Sequence, residues 1–118
     1  MKYMLLIYGD ETALNAAERE ECYADSVRLT QQLDSAGQYI GASPLYPTST
    51  STSVRVRDGK CIITDGPFAE TREQLGGYFL VNAEDLDQAI SIAERVPGVR
   101  WGTVEIRPVI VIDGLPAV

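Results

Sequence analysis

The chain has 118 residues, of which 45% are hydrophobic and 23% charged, and its formal net charge is -7. A chain of this length and composition is typical of one globular domain with its own core, so we interpret residues 1–118 as a single domain. The acidic balance argues against binding to nucleic acid or to anionic lipid, because both need Lys and Arg to neutralise phosphate. A small neutral or cationic ligand, or a protein partner, fits this charge better.

The content of cysteine and histidine limits the chemistry that the chain can perform. Cys22 and Cys61 are the only cysteines, they do not form a C-x-x-C motif, and there is no histidine. We therefore expect two free thiols, no metal and no other cofactor. The apolar run in Met1–Asp10 is too short for a signal peptide or a membrane span, so we expect a cytoplasmic protein without a membrane partner.

The first predicted elements are a strand and a long helix. Lys2–Tyr8 is apolar on both alternating faces, which predicts a central strand covered from both sides. Asn15 and Glu18 have the spacing of a capping box, which predicts a helix over about residues 16–36 that Gly37 ends. Its expected buried stripe consists of Tyr23, Val27, Leu29, Leu33 and Ala36.

The middle of the chain predicts a short strand, a polar loop and a hairpin. Gln38–Ser43 is the second strand, and Ser43–Ser53 is a low-complexity loop that is either a mobile surface segment or a lid. Asp58-Gly59 between Val54–Arg57 and Lys60–Thr64 is a strong signal for a two-residue hairpin turn. Such a turn places Val56 opposite Cys61 and Val54 opposite Ile63.

The last third of the chain predicts a second helix between two strands. Gly77–Val81 is apolar on both faces and should lie beside the first strand. A helix opened by Asn82–Asp85 and ended by Pro97-Gly98 follows, and Trp101–Arg107 is the last strand. Val109–Ile112 is a further apolar run. The expected buried stripe of the second helix is Leu86, Ala89, Ile90 and Ala93.

This order of elements predicts an α+β, ferredoxin-like βαββαβ fold with an inserted β-hairpin and with both helices on one face of the sheet. The other face is also apolar and has nothing to cover it. A monomer would expose more apolar surface than soluble monomers tolerate. We therefore predict a homodimer that packs sheet against sheet, with Val109–Ile112 as an extra contact.

The candidate site is the stretch Thr64–Val81, where a turn rich in polar side chains leads into an apolar strand. Gly and Pro fix a tight backbone path there. Asp65 is the candidate catalytic residue. The candidate ligand-binding residues are Gly66, Pro67, Phe68, Glu70, Arg72, Gln74 and Tyr78.

Thr64–Val81 resembles the YCII-related family, and its Asp65-Gly66-Pro67-Phe68 is similar to the signature of that family's Asp-Gly-Pro-Phe (DGPF) subgroup. The resemblance implies a dimeric α+β barrel. It also implies a lyase or isomerase acting on cyclic compounds, with a proton-transferring His-Asp pair of which Asp65 matches the aspartate and nothing matches the histidine. Members of the subgroup are often encoded beside extracytoplasmic-function sigma factors, which implies a regulatory association.

Two functions remain open. In the first, an enzyme transfers protons on a small molecule, with Asp65 as acid or base and with Arg72, Gln74 or Tyr78 polarising the substrate. That interpretation expects the Asp65 carboxylate to be buried near Phe68 and Tyr78, whereas a purely structural Asp65 would accept a hydrogen bond in its own turn. In the second, the chain is a non-catalytic module that binds a ligand or a regulatory protein.

Overall fold

The computed structural model describes residues 1–117 and shows two α-helices and antiparallel β-sheets, which confirms the α+β class. Single turns of 3₁₀-helix lie at Thr48–Thr50 and Pro97–Arg100. In chain order the main elements are β1 (Lys2–Gly9), α1 (Ala16–Ser35), β2 (Tyr39–Pro44), β3 (Thr52–Arg57), β4 (Lys60–Asp65), β5 (Gln74–Asn82), α2 (Leu86–Ala93) and β6 (Gly102–Pro108).

The main sheet has four strands in the order β2-β5-β1-β6, and neighbouring strands are antiparallel. β1 and β5 occupy its centre, which confirms the prediction from strands that are apolar on both faces. Leu5 pairs with Phe79 and with Ile106 across the two ladders of β1. This strand order is that of a split βαβ unit, with the two halves of the chain interleaved.

Both helices pack on one face of this sheet and form the core with it. α1 contributes Leu29 and Leu33 to this core, and α2 contributes Ala89, Ile92 and Ala93. The buried core consists of Tyr3, Leu5, Leu29, Leu33, Phe79, Val81, Ala83, Ala89, Ile92, Ala93 and Val96.

The ends of α1 follow from local side-chain chemistry. The Asn15 side chain accepts a hydrogen bond from the Glu18 N–H and the Glu18 carboxylate accepts one from the Asn15 N–H, at 2.8 and 3.0 Å, so the predicted capping box is confirmed. At the other end Gly37 has φ +73°, and the N–H of Gln38 reaches back to the Leu33 carbonyl at 2.8 Å. This is a Schellman ending, which needs a residue with positive φ.

The buried stripes of both helices differ from the predicted ones. In α1, Leu29 and Leu33 are buried, but Tyr23 and Val27 are exposed because the stripe passes through Cys22 and Ser26 instead. In α2, Leu86 and Ile90 are exposed, and the buried positions are Ala89, Ile92 and Ala93. α2 also ends at Ala93, before the expected stop at Pro97-Gly98, so it has only two turns to align with the sheet.

No helix formed by residues 1–117 covers the second face of the main sheet. Met4, Leu6 and Leu80 lie there, each half-buried, beside Glu105 and Arg107 on the edge strand β6. We call this surface the open sheet face. The apolar run that follows β6 forms no strand, and its most exposed members are Ile110 and Val111.

β3 and β4 form a separate two-stranded sheet. Asp58 and Gly59 at its turn both have positive φ, 51° and 74°, as a tight hairpin turn requires. Val54 lies opposite Ile63 and Val56 opposite Cys61. Every residue from Val54 to Asp65 is exposed, so this hairpin projects from the rest of the chain.

None of the helices formed by residues 1–117 is both long and apolar enough to cross a membrane.

Candidate functional site

Asp65 is the last residue of β4, and its side chain is exposed. The turn after it is closed by other groups: the Gly66 N–H donates to the Ser51 carbonyl at 2.8 Å, and the Ser53 hydroxyl donates to the Gly66 carbonyl at 2.7 Å. Within residues 1–117 the Asp65 carboxylate accepts no hydrogen bond, so the expected Asx-turn role is not observed. Gly66 has φ +97°, a conformation that suits glycine.

The remaining predicted residues are spread along the path from this turn into β5. Pro67 is half-buried, whereas Phe68, Glu70 and Arg72 are exposed. Tyr78 lies on the open sheet face opposite Leu6. The expected burial of Asp65 near Phe68 and Tyr78 is therefore not met in a single chain, because Asp65 and Phe68 both face solvent.

Gln74 differs from the other predicted residues because it lines a cavity of about 370 Å³. The cavity lies where β1 ends, between the start of α1, the loop after β2 and the turn before β6. Its walls combine aromatic rings with a few polar groups. The aromatic side chains are Tyr8, Tyr23, Tyr46 and Trp101, and the charged or amide side chains are Asp10, Glu11, Arg19 and Gln74.

A hydrogen-bonded cluster around Thr48 joins two walls of this cavity. The Glu11 carboxylate accepts from the Thr48 N–H at 2.7 Å and from the Thr48 hydroxyl at 2.6 Å. The end of the Gln74 side-chain amide lies 2.7 Å from the same hydroxyl oxygen. The hydroxyl has one hydrogen and two acceptors within reach, the Glu11 carboxylate and the Gln74 Oε1, so it donates to only one of them at a time. The polar loop predicted to be mobile or a lid is thus tied to β5 and to the end of β1.

Asp10 is held ionised at the mouth of the cavity. Its Oδ1 accepts from the Thr12 hydroxyl at 2.6 Å and from the Thr12 N–H at 2.8 Å. These two bonds, aided by the charge of Arg72, hold the pKa of the Asp10 carboxyl below its ordinary value. Asp10 is therefore an acceptor of hydrogen bonds at neutral pH and a poor proton donor.

Cys22 lies on the α1 side of the same cavity. Burial raises the pKa of the Cys22 thiol above its ordinary value, because the apolar surroundings disfavour the thiolate. The group in the cavity is thus a neutral thiol, which is a small apolar surface and a weak nucleophile.

A second, more open groove of about 360 Å³ lies on the open sheet face. There the Thr103 hydroxyl donates to the Glu73 carboxylate at 3.2 Å. The Arg107 Nε lies 3.6 Å from the Glu105 Oε1, which makes an ion pair. Glu73 therefore bonds to β6 and does not pair with Arg72. No group of three or more His, Cys, Asp or Glu side chains within residues 1–117 could hold a metal ion.

Most of the cavity was not predicted from the sequence, because no functional role was assigned to Gly9–Thr12, the residues that follow the first predicted strand. Asp10 followed two residues later by Thr12 is the spacing of an Asx-turn, in which the side chain accepts from the backbone two residues on. That pattern could have marked Asp10. Tyr8 and Trp101 carry no comparable local signal, since only the pairing of β1 with β6 brings their ends together.

Comparisons with known proteins agree with this architecture. Residues 1–113 match the family model described as the YCII-related domain. An uncharacterised protein of Rhizobium meliloti, R00369, is 34% identical over 113 residues that cover 92% of this chain and 91% of that protein. Among solved structures, 5-chloro-2-hydroxyhydroquinone dehydrochlorinase (TftG) from Burkholderia phenoliruptrix, in complex with 2,5-dihydroxybenzoquinone, superposes with a TM-score of 0.56. It is 13% identical, and the match covers 93% of this chain and 94% of TftG, so the likeness is one of fold.

Proposed function

We propose that this chain, which belongs to the YCII-related domain family, binds a small cyclic molecule in the cavity at the end of β1 and performs a lyase or isomerase type of proton transfer on it. The observation that carries the proposal is the composition of that cavity. It combines aromatic walls with an ionised carboxylate, that of Asp10, fixed by two hydrogen bonds.

The dimensions and chemistry of the cavity support a small ring compound. A volume of about 370 Å³ falls at the lower end of the range for ligand sites. Tyr8, Tyr23 and Trp101 line the cavity, and aromatic side chains are suited to packing against a flat ring. Asp10 can accept a hydrogen bond from a hydroxyl or amino substituent. TftG, which shares the fold, acts on a hydroxylated ring, and that agrees with this choice of ligand.

The proton-transfer step is assigned to Asp65 on the strength of the signature Asp65-Gly66-Pro67-Phe68 and of membership in the DGPF subgroup, which we also propose. Asp65 does not line the cavity of its own chain, so this assignment requires that a second copy of the chain bring its exposed carboxylate to the ligand. Asp10 is less suited to this work, since its hydrogen bonds favour the charged form.

The binding step can be tested with hydroquinone, a neutral ring with two hydroxyl groups. Hydroquinone should shift the NMR signals of amides around Asp10 and Trp101, and Asp10→Asn should weaken its affinity by about tenfold, the effect of losing one charge-assisted hydrogen bond. Asp87→Asn, an exposed aspartate on α2 outside the cavity, is the matched control and should bind as the native protein does. Equal affinities for the two variants would contradict the role of Asp10.

The second candidate is a non-catalytic binding module. The absence of histidine from the sequence and the low pKa of Asp10 favour it, because the cavity then has no strong candidate for a proton donor near neutral pH. Cyclohexanone in heavy water separates the two candidates. An enzyme should accelerate exchange of the protons beside the carbonyl, and Asp65→Asn should abolish that acceleration. Binding without exchange would favour the module. Association with an extracytoplasmic-function sigma factor stays a prediction from the resemblance.

We also propose that the chain is a homodimer that covers the open sheet face. Met4, Leu6 and Leu80 form an apolar strip there that no helix covers. Burying this strip would remove apolar surface from water, which stabilises association.

A further inference from the structure

Trp101, the only tryptophan of the chain, lines the cavity from the turn that leads into β6. Its backbone is fixed there, because Pro97–Arg100 forms a turn of 3₁₀-helix and the Trp101 N–H donates to the Gly98 carbonyl at 3.2 Å. A Cβ atom added at Gly98 would lie 2.6 Å from Cγ2 of Ile7, so this turn packs tightly on β1. Trp101 itself is 40% exposed, so burial holds its ring only in part.

The Arg100 guanidinium lies over the Trp101 ring. Its Cζ atom is 4.9 Å from the ring centroid, within the range of a cation–π contact. Arg100 does not line the cavity that Trp101 borders. It can therefore restrict the ring without competing with a ligand for the space inside.

Two further contacts hold Arg100. Its Nη2 lies 3.3 Å from Oδ2 of Asp25 on α1, and its Nε donates to the Pro97 carbonyl at 3.4 Å. The other oxygen of the same carboxylate, Oδ1, pairs with Arg28. The two guanidinium groups, Arg28 most of all, hold the pKa of the Asp25 carboxyl below its ordinary value, so Asp25 is ionised at neutral pH. Arg100 is thus anchored both to α1 and to the turn before β6.

The ion pair of Arg100 with Asp25 lies close to a second residue of the cavity wall. Besides burial, the charges of this pair act on the pKa of the Cys22 thiol, Arg100 lowering it and Asp25 raising it. Cys22 lines the cavity from α1, one turn before Asp25. The Arg100 and Asp25 side chains are 55% and 29% exposed, and pairs of this kind contribute little to stability. We therefore expect the pair to act on the geometry of the wall more than on folding.

We propose that Arg100 is a positioning residue for the ligand: it holds the Trp101 ring so that the ring can stack on a flat, conjugated ring in the cavity, which thereby selects such ligands over saturated rings. This inference rests on the proposed function and narrows its class of ligand. An indole that is already ordered loses less conformational entropy when a ligand stacks on it, so the contact raises the affinity for such ligands. A saturated ring has no π-system to stack and gains less.

The two partners of Asp25 provide a matched test of the ordering of Trp101. Arg100→Gln removes the guanidinium over the ring, whereas Arg28→Gln removes the same charge from the other oxygen of the carboxylate. Trp101 gives the only indole N–H signal in an NMR spectrum, and its nitrogen relaxation measures picosecond to nanosecond motion of the ring. Without ligand, the indole should be more mobile in Arg100→Gln than in the native protein, and unchanged in Arg28→Gln. Equal mobility in all three proteins, or an equal increase in both variants, would overturn the inference.

Two ligands with the same pair of hydroxyl groups test the selectivity. Hydroquinone is flat, and the corresponding cyclohexanediol is its saturated counterpart. By NMR titration, Arg100→Gln should bind hydroquinone about fivefold more weakly than the native protein, the effect of ordering one side chain on binding. Its affinity for the cyclohexanediol should equal that of the native protein, and Arg28→Gln should bind both ligands as the native protein does. Equal losses for both ligands would overturn the selectivity.

The relaxation measurement needs no ligand, so it separates this inference from the proposed function. If the indole is more mobile in Arg100→Gln alone but hydroquinone does not bind the native protein, Arg100 still orders Trp101. The proposed function, and the selectivity that rests on it, would then fall.

Discussion

Gly9 and Gly102 lie opposite each other in the β1–β6 ladder and both line the cavity, yet they differ sharply in the space around them. A Cβ atom added at Gly102 would overlap the carbonyl oxygen of Tyr8 and lie 3.0 Å from the Cα of Gly9. A Cβ atom at Gly9 would meet nothing within 4 Å. Gly102 thus sets the close approach of two backbones at the floor of the cavity.

This difference predicts that Gly102→Ala destabilises the chain by about 1–3 kcal/mol, because the strands must separate to admit the methyl group. Gly9→Ala is the matched control and should change stability by less than about 0.5 kcal/mol. Urea denaturation of both variants checks the difference. Similar midpoints for the two variants would show that β1 and β6 can separate at this end with little loss of stability.

The Thr48 hydroxyl should stabilise the loop after β2. Thr48→Val keeps the shape of the side chain but removes the hydroxyl that bonds Glu11 and contacts Gln74, and it should cost about 1 kcal/mol. Thr52→Val is the control, since the Thr52 hydroxyl makes no hydrogen bond to other residues within the described chain. If the two changes have the same effect in urea denaturation, the Thr48 cluster contributes nothing to stability.

The sequence predicted the main sheet and the ends of α1 well, because those features depend on local patterns. Runs that are apolar on both faces marked β1 and β5, and Asn15 with Glu18 marked the start of α1. The stripe of α2 could not be predicted in the same way. Leu86 and Ile90 have the right spacing and hydrophobicity, but which side of a two-turn helix meets the sheet depends on how the connecting segments lead into it.

The candidate site was predicted less well for a related reason. Gln74 was singled out because it belongs to a stretch of polar residues, but the cavity that it lines is built from segments distant in sequence. Asp10, Cys22 and Trp101 meet only after β1, α1 and β6 have assembled. The charge of Arg72 acts on Asp10, although its side chain does not line the cavity.

The pH dependence of stability should include a contribution from Asp10. The pKa of Asp10 is lowered in the folded chain, so its contribution is fully present above the unfolded-state value of about 3.9 and is lost as the pH falls through the folded-state pKa. Asp10→Asn should therefore lose less stability than the native protein between about pH 6 and pH 3. Chemical denaturation of the native protein and of Asp10→Asn at both pH values measures the two losses of stability. An equal loss in both proteins would show that Thr12 does not favour the ionised form.

The turn after β4 offers a test of whether Asp65 serves the fold. The Ser53 hydroxyl makes the side-chain hydrogen bond that closes this turn by donating to the Gly66 carbonyl at 2.7 Å, whereas the Asp65 carboxylate accepts none within residues 1–117. Ser53→Ala should therefore cost about 1 kcal/mol, since it leaves that half-buried carbonyl with one partner fewer. Asp65→Asn should change the stability of the separate chain by less than about 0.5 kcal/mol, because its exposed carboxylate bonds to nothing there. Urea denaturation of both variants at low protein concentration measures the two losses. A larger loss of stability for Asp65→Asn than for Ser53→Ala would indicate that Asp65 has a structural role. It would also weaken the assignment of proton transfer to Asp65.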